Sequence, residues 1–147
     1  WQRSLLANPI SENTLVLAPR QAGKSTAAAA LAMKTSCEQP GALIVLLSPS
    51  LRTSCCLLHK ILEQMADRAD LTLVSRMRLA LTNGSEIAVL NPLHAAHVLA
   101  IDLLIVDDAA DVADEEYHRV LRPVQRSNGL QIALSSAGGK SGWFYKE

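Results

Sequence analysis

Aromatic residues are nearly absent from this 147-residue chain, which holds two Trp, two Tyr and one Phe. Three of the five, Trp143, Phe144 and Tyr145, stand together at the end of the sequence. Net charge is absent too: fourteen Lys plus Arg balance fourteen Asp plus Glu. Nothing in the overall balance draws the molecule to nucleic acid or an anionic membrane, so any contact with a polyanion must be local. No apolar run approaches the roughly 20 residues needed to cross a bilayer, and the start lacks the basic-then-apolar pattern of a signal peptide. Cysteine is scarce and odd in number: Cys37, Cys55 and Cys56 have no metal-ligand spacing, which points to a reducing, cytoplasmic compartment. Disorder is excluded as the general state, because hydrophobic residues make up 49% and charged residues only 19%. The length suits one domain with one core. A first residue of Trp1 and an end directly after an aromatic cluster suggest a piece of a longer chain.

What is present is an alternation of apolar runs and helical stretches. Thr14 to Ala18 reads as a strand running into a polar loop, and Lys24 to about Thr35 as an Ala-rich helix. Beyond Gln39-Pro40-Gly41, the continuous run Ala42 to Leu47 fits a strand buried on both faces of a parallel sheet. Leu51 to Arg68 reads as an amphipathic helix with Leu58, Ile61, Leu62 and Met65 on one side. Met77 to Leu90 alternates around Asn83-Gly84, a strong hairpin signal that outweighs the glycosylation triplet Asn83-Gly84-Ser85. Ile101 to Val106 is a further buried strand. Asp114 to Arg122 follows as a helix with acids in its first turn, which Pro123 should end or kink, and Leu130 to Ser135 is a last strand. Strands alternating with helices predict right-handed crossovers, a mainly parallel sheet between two helix layers, and a ligand at the carboxyl ends of the strands.

The chemistry concentrates at two strand ends. Ala18-Pro19-Arg20-Gln21-Ala22-Gly23-Lys24-Ser25-Thr26 lies between strand and helix, where backbone amides and a helix N-terminus face an anion. The usual phosphate-loop pattern begins with Gly where this chain has Ala18, while Gly23-Lys24-Ser25 is intact. In that pattern Lys24 reaches the β- and γ-phosphates of a nucleotide and Ser25 ligates Mg²⁺. Leu103-Leu104-Ile105-Val106-Asp107-Asp108 adds a carboxylate at the end of a hydrophobic strand, and Asp107 is the candidate for holding Mg²⁺, directly or through water. Adjacent strand residues point to opposite faces, which argues against a paired-carboxylate centre at Asp107 and Asp108. A chance Gly-Lys-Ser and an acidic helix cap are the bland alternatives; both motifs in the right order favour ATP binding. A second Gly139-Lys140-Ser141 has no following room for a phosphate-holding helix.

These residues resemble the ATPase domain of large terminase subunits, the motors that package DNA into phage and herpesvirus capsids. Trp1-Gln2-Arg3 is similar to the family's adenine-side motif and Arg20 to Thr26 to its variant phosphate loop. Ser48-Pro49-Ser50-Leu51-Arg52 is similar to the segment after its second strand, Asp102 to Asp107 with Ala109-Ala110 to its acidic motif, and Ser135 to Tyr145 to its coupling motif. The resemblance implies an α/β, three-layer P-loop NTPase with a mainly parallel sheet and a β-hairpin insertion, spanning residues 1–147 as one ATPase domain without the family's nuclease half. It implies Gln2 on adenine, Gln21, Ala22, Gly23, Lys24, Ser25 and Thr26 around the phosphates, and Arg20 acting in cis on the γ-phosphate. Ser25 and Asp107 then hold Mg²⁺, Asp108 stands where the family places the Glu that aligns water, and Ser135 and Ser136 sense the γ-phosphate. Asp108 is one methylene shorter than Glu, so turnover is expected to be slow. The implied partners are double-stranded DNA, gripped weakly by this domain alone, a portal protein, a small terminase subunit and other copies in a ring, with no membrane. The implied location is the host cytoplasm. A helicase-like nucleic-acid-dependent ATPase, or a nucleotide-binding module with weakened catalysis, remain as alternatives. His94 and His97, in place of an expected Arg-Gly pair, lack further ligands for a metal. Arg119, Arg122 and Arg126 recur in and just after the helix that follows the acidic motif, as an ordinary solvated face, a local basic face or a trans-acting finger.

Overall fold

The computed structural model describes residues 1–7, 13–65, 67, 70–90, 100–126, 128–136 and 143–146. His94, His97 and Gly139-Lys140-Ser141 lie outside the described residues, as do the side chains of Arg122 and Arg126. Among the described residues five helices and seven strands follow in the order α1 (Gln2–Ala7), β1 (Thr14–Leu17), α2 (Lys24–Glu38), β2 (Leu43–Leu47), α3 (Leu51–Met65), β3 (Leu71–Val74), β4 (Arg78–Leu81), β5 (Glu86–Val89), β6 (Leu103–Asp107), α4 (Asp114–Arg126), β7 (Leu130–Ser135) and α5 (Trp143–Lys146). A single 3₁₀ turn, Ala109–Asp111, joins β6 to the approach of α4.

All seven strands form one sheet in the order β1-β7-β6-β2-β5-β4-β3. The first five of these pair in parallel, and β4 and β3 extend the edge antiparallel. The Asn83-Gly84 hairpin is thus built into the sheet, because β5 pairs in parallel with β2. Side chains along a strand alternate between faces, and the core divides accordingly. Ile44, Leu46, Leu103, Ile105, Ile132 and Leu134 meet α2 and α3 on one face. Val45, Leu47, Leu104, Val106 and Ala133 meet Tyr117, Val120 and Val124 of α4 on the other. These are the three layers expected from continuous apolar strands.

Three boundaries differ from expectation. Pro123 does not end α4, which runs on to Arg126. A proline's fixed φ is itself helical, and the lost amide bond and the crowding of its ring against the preceding turn are outweighed where Val124 beyond it is buried in the core. The helix over Leu51 to Arg68 stops at Met65, the last residue of its apolar stripe, and Asp67 is already in a turn. The short edge strand β3 has no counterpart in the sequence reading. Leu73 and Val74 are 42% and 52% exposed, so this strand lacks the apolar-polar alternation that marks one in a sequence.

Gly129 shows how close the sheet entry is. A Cβ there would collide with the Ile101 carbonyl, so only glycine lets β7 enter beside β6.

Candidate active site

Parallel pairing of β1, β7 and β6 brings their carboxyl ends together, and with them the loop after β1, the 3₁₀ turn after β6 and Ser136 after β7. A cleft of about 420 Å³ opens there, lined by Arg20, Gln21, Gly23, Lys24, Ser25 and Thr26 from the loop and first turn of α2. Asp108, Asp111 and Ser136 line its opposite side, and Lys60 reaches in from α3. A larger cleft of about 590 Å³ lies between α3 and the β3–β4 turn, where Arg52, His59 and Arg76 stand among Leu58, Leu62, Val74, Leu79, Cys55 and Cys56 with no acidic residue in the lining. Size therefore does not select the site; cations and acids facing each other at the carboxyl ends of parallel strands do.

The loop's shape follows from its residues. Gly23 caps α2 in a left-handed conformation with φ of 79°, and Gln21 is also left-handed at 60°. Such turns expose successive N–H groups to the cleft, and α2 carries no acidic residue in its first turn to compete with an incoming anion. Lys24 is 7% exposed, and its ammonium donates to the Pro19 carbonyl at 3.1 Å, within its own loop.

Gln2 stands on the back of this loop. Its amide nitrogen donates to the Ala22 carbonyl at 2.8 Å and the Gly23 carbonyl at 3.3 Å. A Cβ on Gly23 would run into that same nitrogen. Both amide protons of Gln2 are therefore spent on the loop in this arrangement, leaving the carbonyl oxygen for an adenine edge. Ala22 takes part through its carbonyl and does not line the cleft.

Across the cleft, Asp107 is buried at the end of β6, where its carboxylate accepts the Asp108 amide at 3.2 Å and lies near the Ser25 hydroxyl. Burial pushes its carboxyl above the ordinary aspartate range; the Ser25 hydroxyl opposes that shift, and the neighbouring Asp108 charge adds to it. Asp108 is left-handed, with φ of 51°, and exposed. Strained backbone positions concentrate at functional sites, and two of the three non-glycine examples among the described residues, Gln21 and Asp108, line this cleft.

The two serines after β7 separate. Ser135 is buried, and its hydroxyl accepts the Ala110 amide at 3.1 Å, tying β7 to the 3₁₀ turn. Ser136 lines the cleft. Two further lining residues escape sequence reasoning. Asp111 sits three residues after Asp108, and a 3₁₀ turn superposes such positions on one side. Lys60 lies 34 residues from Thr26, whose hydroxyl its ammonium meets at 3.4 Å, and no motif spacing announces that contact.

A hard divalent cation fits this donor set. Mg²⁺ takes one or two carboxylates plus substrate phosphates in place of an all-protein cage. Ser25 and Asp107 offer hard oxygens close to one another, and no cluster of three or more metal-ligating side chains exists among the described residues. Nor, among them, is any helix long and apolar enough to cross a membrane.

A mainly parallel sheet with a phosphate-loop sequence after β1 and an acid at the end of β6 has the fold of the large-terminase ATPase domain. The chain superposes on the ATPase domain of the Thermus phage P74-26 large terminase with a TM-score of 0.79 at 20% identity, covering 99% of this chain and 66% of that one. Against the large terminase of a thermophilic bacteriophage, solved in complex with ADP, the TM-score is 0.78 at 13% identity, over 99% of this chain and 40% of that one. The bacteriophage Phi-29 genome packaging motor assembly matches with a TM-score of 0.64 at 14% identity, over 99% of this chain and 49% of that one. No protein-family model matches the sequence, and neither does any curated protein.

Proposed function

We propose that this chain is a P-loop ATPase unit of a viral DNA-packaging motor, hydrolysing ATP to ADP and phosphate in the cleft between α2 and the 3₁₀ turn. The observation that carries the reading is the meeting of Ser25 with Asp107 beside Lys24, since a hydroxyl, a carboxylate and a lysine are what a metal-bound triphosphate requires. The likeness in fold to terminase ATPase domains, including one solved with ADP and one with ATP-gamma-S, supports it.

In this mechanism the loop amides and the N-terminus of α2 cradle the phosphates, and Lys24 leaves the Pro19 carbonyl for the β- and γ-phosphate oxygens. Ser25 and Asp107 would hold Mg²⁺, which when bound would supply positive charge against the phosphate oxygens. Asp108 orients a water for attack on the γ-phosphorus; the bond to the β-phosphate oxygen breaks and ADP leaves. Arg20 offers its planar guanidinium to the charge spreading over the transferred group. Ser136 meets the γ-phosphate from the β7 side, and Ser135 passes its loss to the 3₁₀ turn through Ala110. The domain then works as one of several copies in a ring with double-stranded DNA, a portal protein and a small terminase subunit, in the host cytoplasm.

Phosphate release from purified protein with ATP and Mg²⁺ tests this. Lys24→Ala is expected to lower the rate by at least about 100-fold, and Asp108→Glu to raise it about tenfold by restoring the missing methylene. Tight ATP binding without turnover, unchanged by Asp108→Glu, would instead identify a nucleotide-binding module.

A further inference from the structure

Lys60 is the cleft's one residue from α3 among the described residues, and the mechanism above leaves it without a role. Its backbone is held firmly, since Leu57, Leu58 and Ile61 on the same helix are buried in the core. Its side chain crosses to the first turn of α2 and meets only the Thr26 hydroxyl, at 3.4 Å, a long contact with a neutral partner. No carboxylate pairs with it among the described residues. An ammonium whose partner is neutral is poised for an anion, because a charge-assisted bond to phosphate is far stronger than one to a hydroxyl.

Resting on the ATP-site reading, we infer that Lys60 is a second phosphate-binding lysine, set on the α- and β-phosphates of the nucleotide. The placement follows from Thr26, two residues beyond Lys24 in the first turn of α2. Lys24 serves the γ-phosphate end of the loop, whereas the free amides of that first turn face the phosphates nearer the nucleoside. Lys60 therefore binds groups that ADP and ATP share, and it sets affinity for both. The two helices are already packed through apolar side chains such as Leu31 and Leu58, so their packing does not depend on the lysine.

Titration of ADP and of Mg²⁺ with ATP into wild type, Lys60→Gln, Lys60→Arg and Lys24→Ala decides the matter. Lys60→Gln is expected to weaken both nucleotides about 10-fold, with the loss shrinking at high salt and appearing in KM. Lys60→Arg should recover most of it, and the unfolding temperature of nucleotide-free Lys60→Gln should match wild type. Unchanged affinity in Lys60→Gln, beside a large loss in Lys24→Ala, overturns the inference and leaves the ATP site standing. A loss confined to ATP and carried by kcat overturns the placement on the α- and β-phosphates. Failure of wild type to bind either nucleotide removes the ATP-site reading and this inference together.

Discussion

The Asp107 carboxylate ends a strand whose five residues are all buried, and burial pushes its pKa above the usual aspartate range. The neutral form is the one the fold favours, so the folded state keeps this proton to higher pH than the unfolded chain does. The stability contributed here is fully present below about pH 4, where the unfolded aspartate is protonated, and is lost as pH rises through the raised folded value. Asp107→Asn removes that slope. Nucleotide-free Asp107→Asn should therefore unfold at a higher temperature than wild type at pH 7, with the difference vanishing in acid. The same variant should lose most of the added thermal stability that ATP with Mg²⁺ confers on wild type, since an amide is a poor partner for Mg²⁺. Thermal melts across pH, with and without nucleotide, check both halves; a variant less stable than wild type at pH 7 would contradict the burial argument. At this scale the sequence is informative about chemistry and silent about partners. That Lys24 and Ser25 come close to Asp107 is legible, because motif spacing and strand period place all three at the carboxyl ends of neighbouring strands. Lys60 and Asp111 are not, because long-range contacts and shared faces leave no local pattern.

Among the elements, α5 makes more contacts than four residues suggest. Trp143 is 3% exposed and stacks on Tyr117 of α4 at 3.5 Å and 7° between rings. Its indole donates to the Val112 carbonyl at 3.1 Å, and its backbone amide donates to Asp114 at 3.0 Å. Tyr117 in turn donates its hydroxyl to the buried Gln131 of β7 at 2.7 Å. These bonds link the residues after the 3₁₀ turn, the start of α4 and the strand that ends in Ser135. Trp143→Ala is expected to cost about 3 kcal/mol in urea unfolding, the usual penalty for emptying a buried aromatic site. A loss under about 1 kcal/mol would show that α5 is not part of the core. The cluster of aromatics at the end of the sequence points to such packing only weakly, since spacing does not reveal which helix a tryptophan will meet. Pro123 teaches the reverse: a local rule predicts a helix end, and the burial of Val124 beyond it prevails.

Across the whole molecule, balanced charge has a consequence for DNA. Arg78 is committed to Glu86 at 2.6 Å, and Arg119 pairs with Glu115 one helical turn away. Arg20, Lys24 and Lys60 line the cleft at the strand ends. Cations and acids are equal in number over the whole sequence, so this chain alone should bind duplex DNA more weakly than about 10⁻⁶ M at physiological salt. Fluorescence anisotropy with a labelled duplex measures this, and submicromolar binding at that salt would place a DNA-gripping surface on the chain itself. The Thermus phage domain and the ADP-bound large terminase are both longer than this chain, which spans 66% of one and 40% of the other.

Continuous apolar runs, an intact Gly23-Lys24-Ser25 and a strand ending in Asp107 suffice to place the layers, the strand ends and the chemistry of the site, because secondary-structure period and residue type are local properties. Which residues meet across the cleft is not local. Strand order brings Ser136 to the cleft while Ser135 turns to Ala110, and helix packing delivers Lys60 to Thr26 across 34 residues. The amide of Gln2 stands against Ala22 and Gly23, because a glycine without a Cβ leaves room for it there. Those arrangements depend on how sheet and helices pack, and only the folded chain decides them.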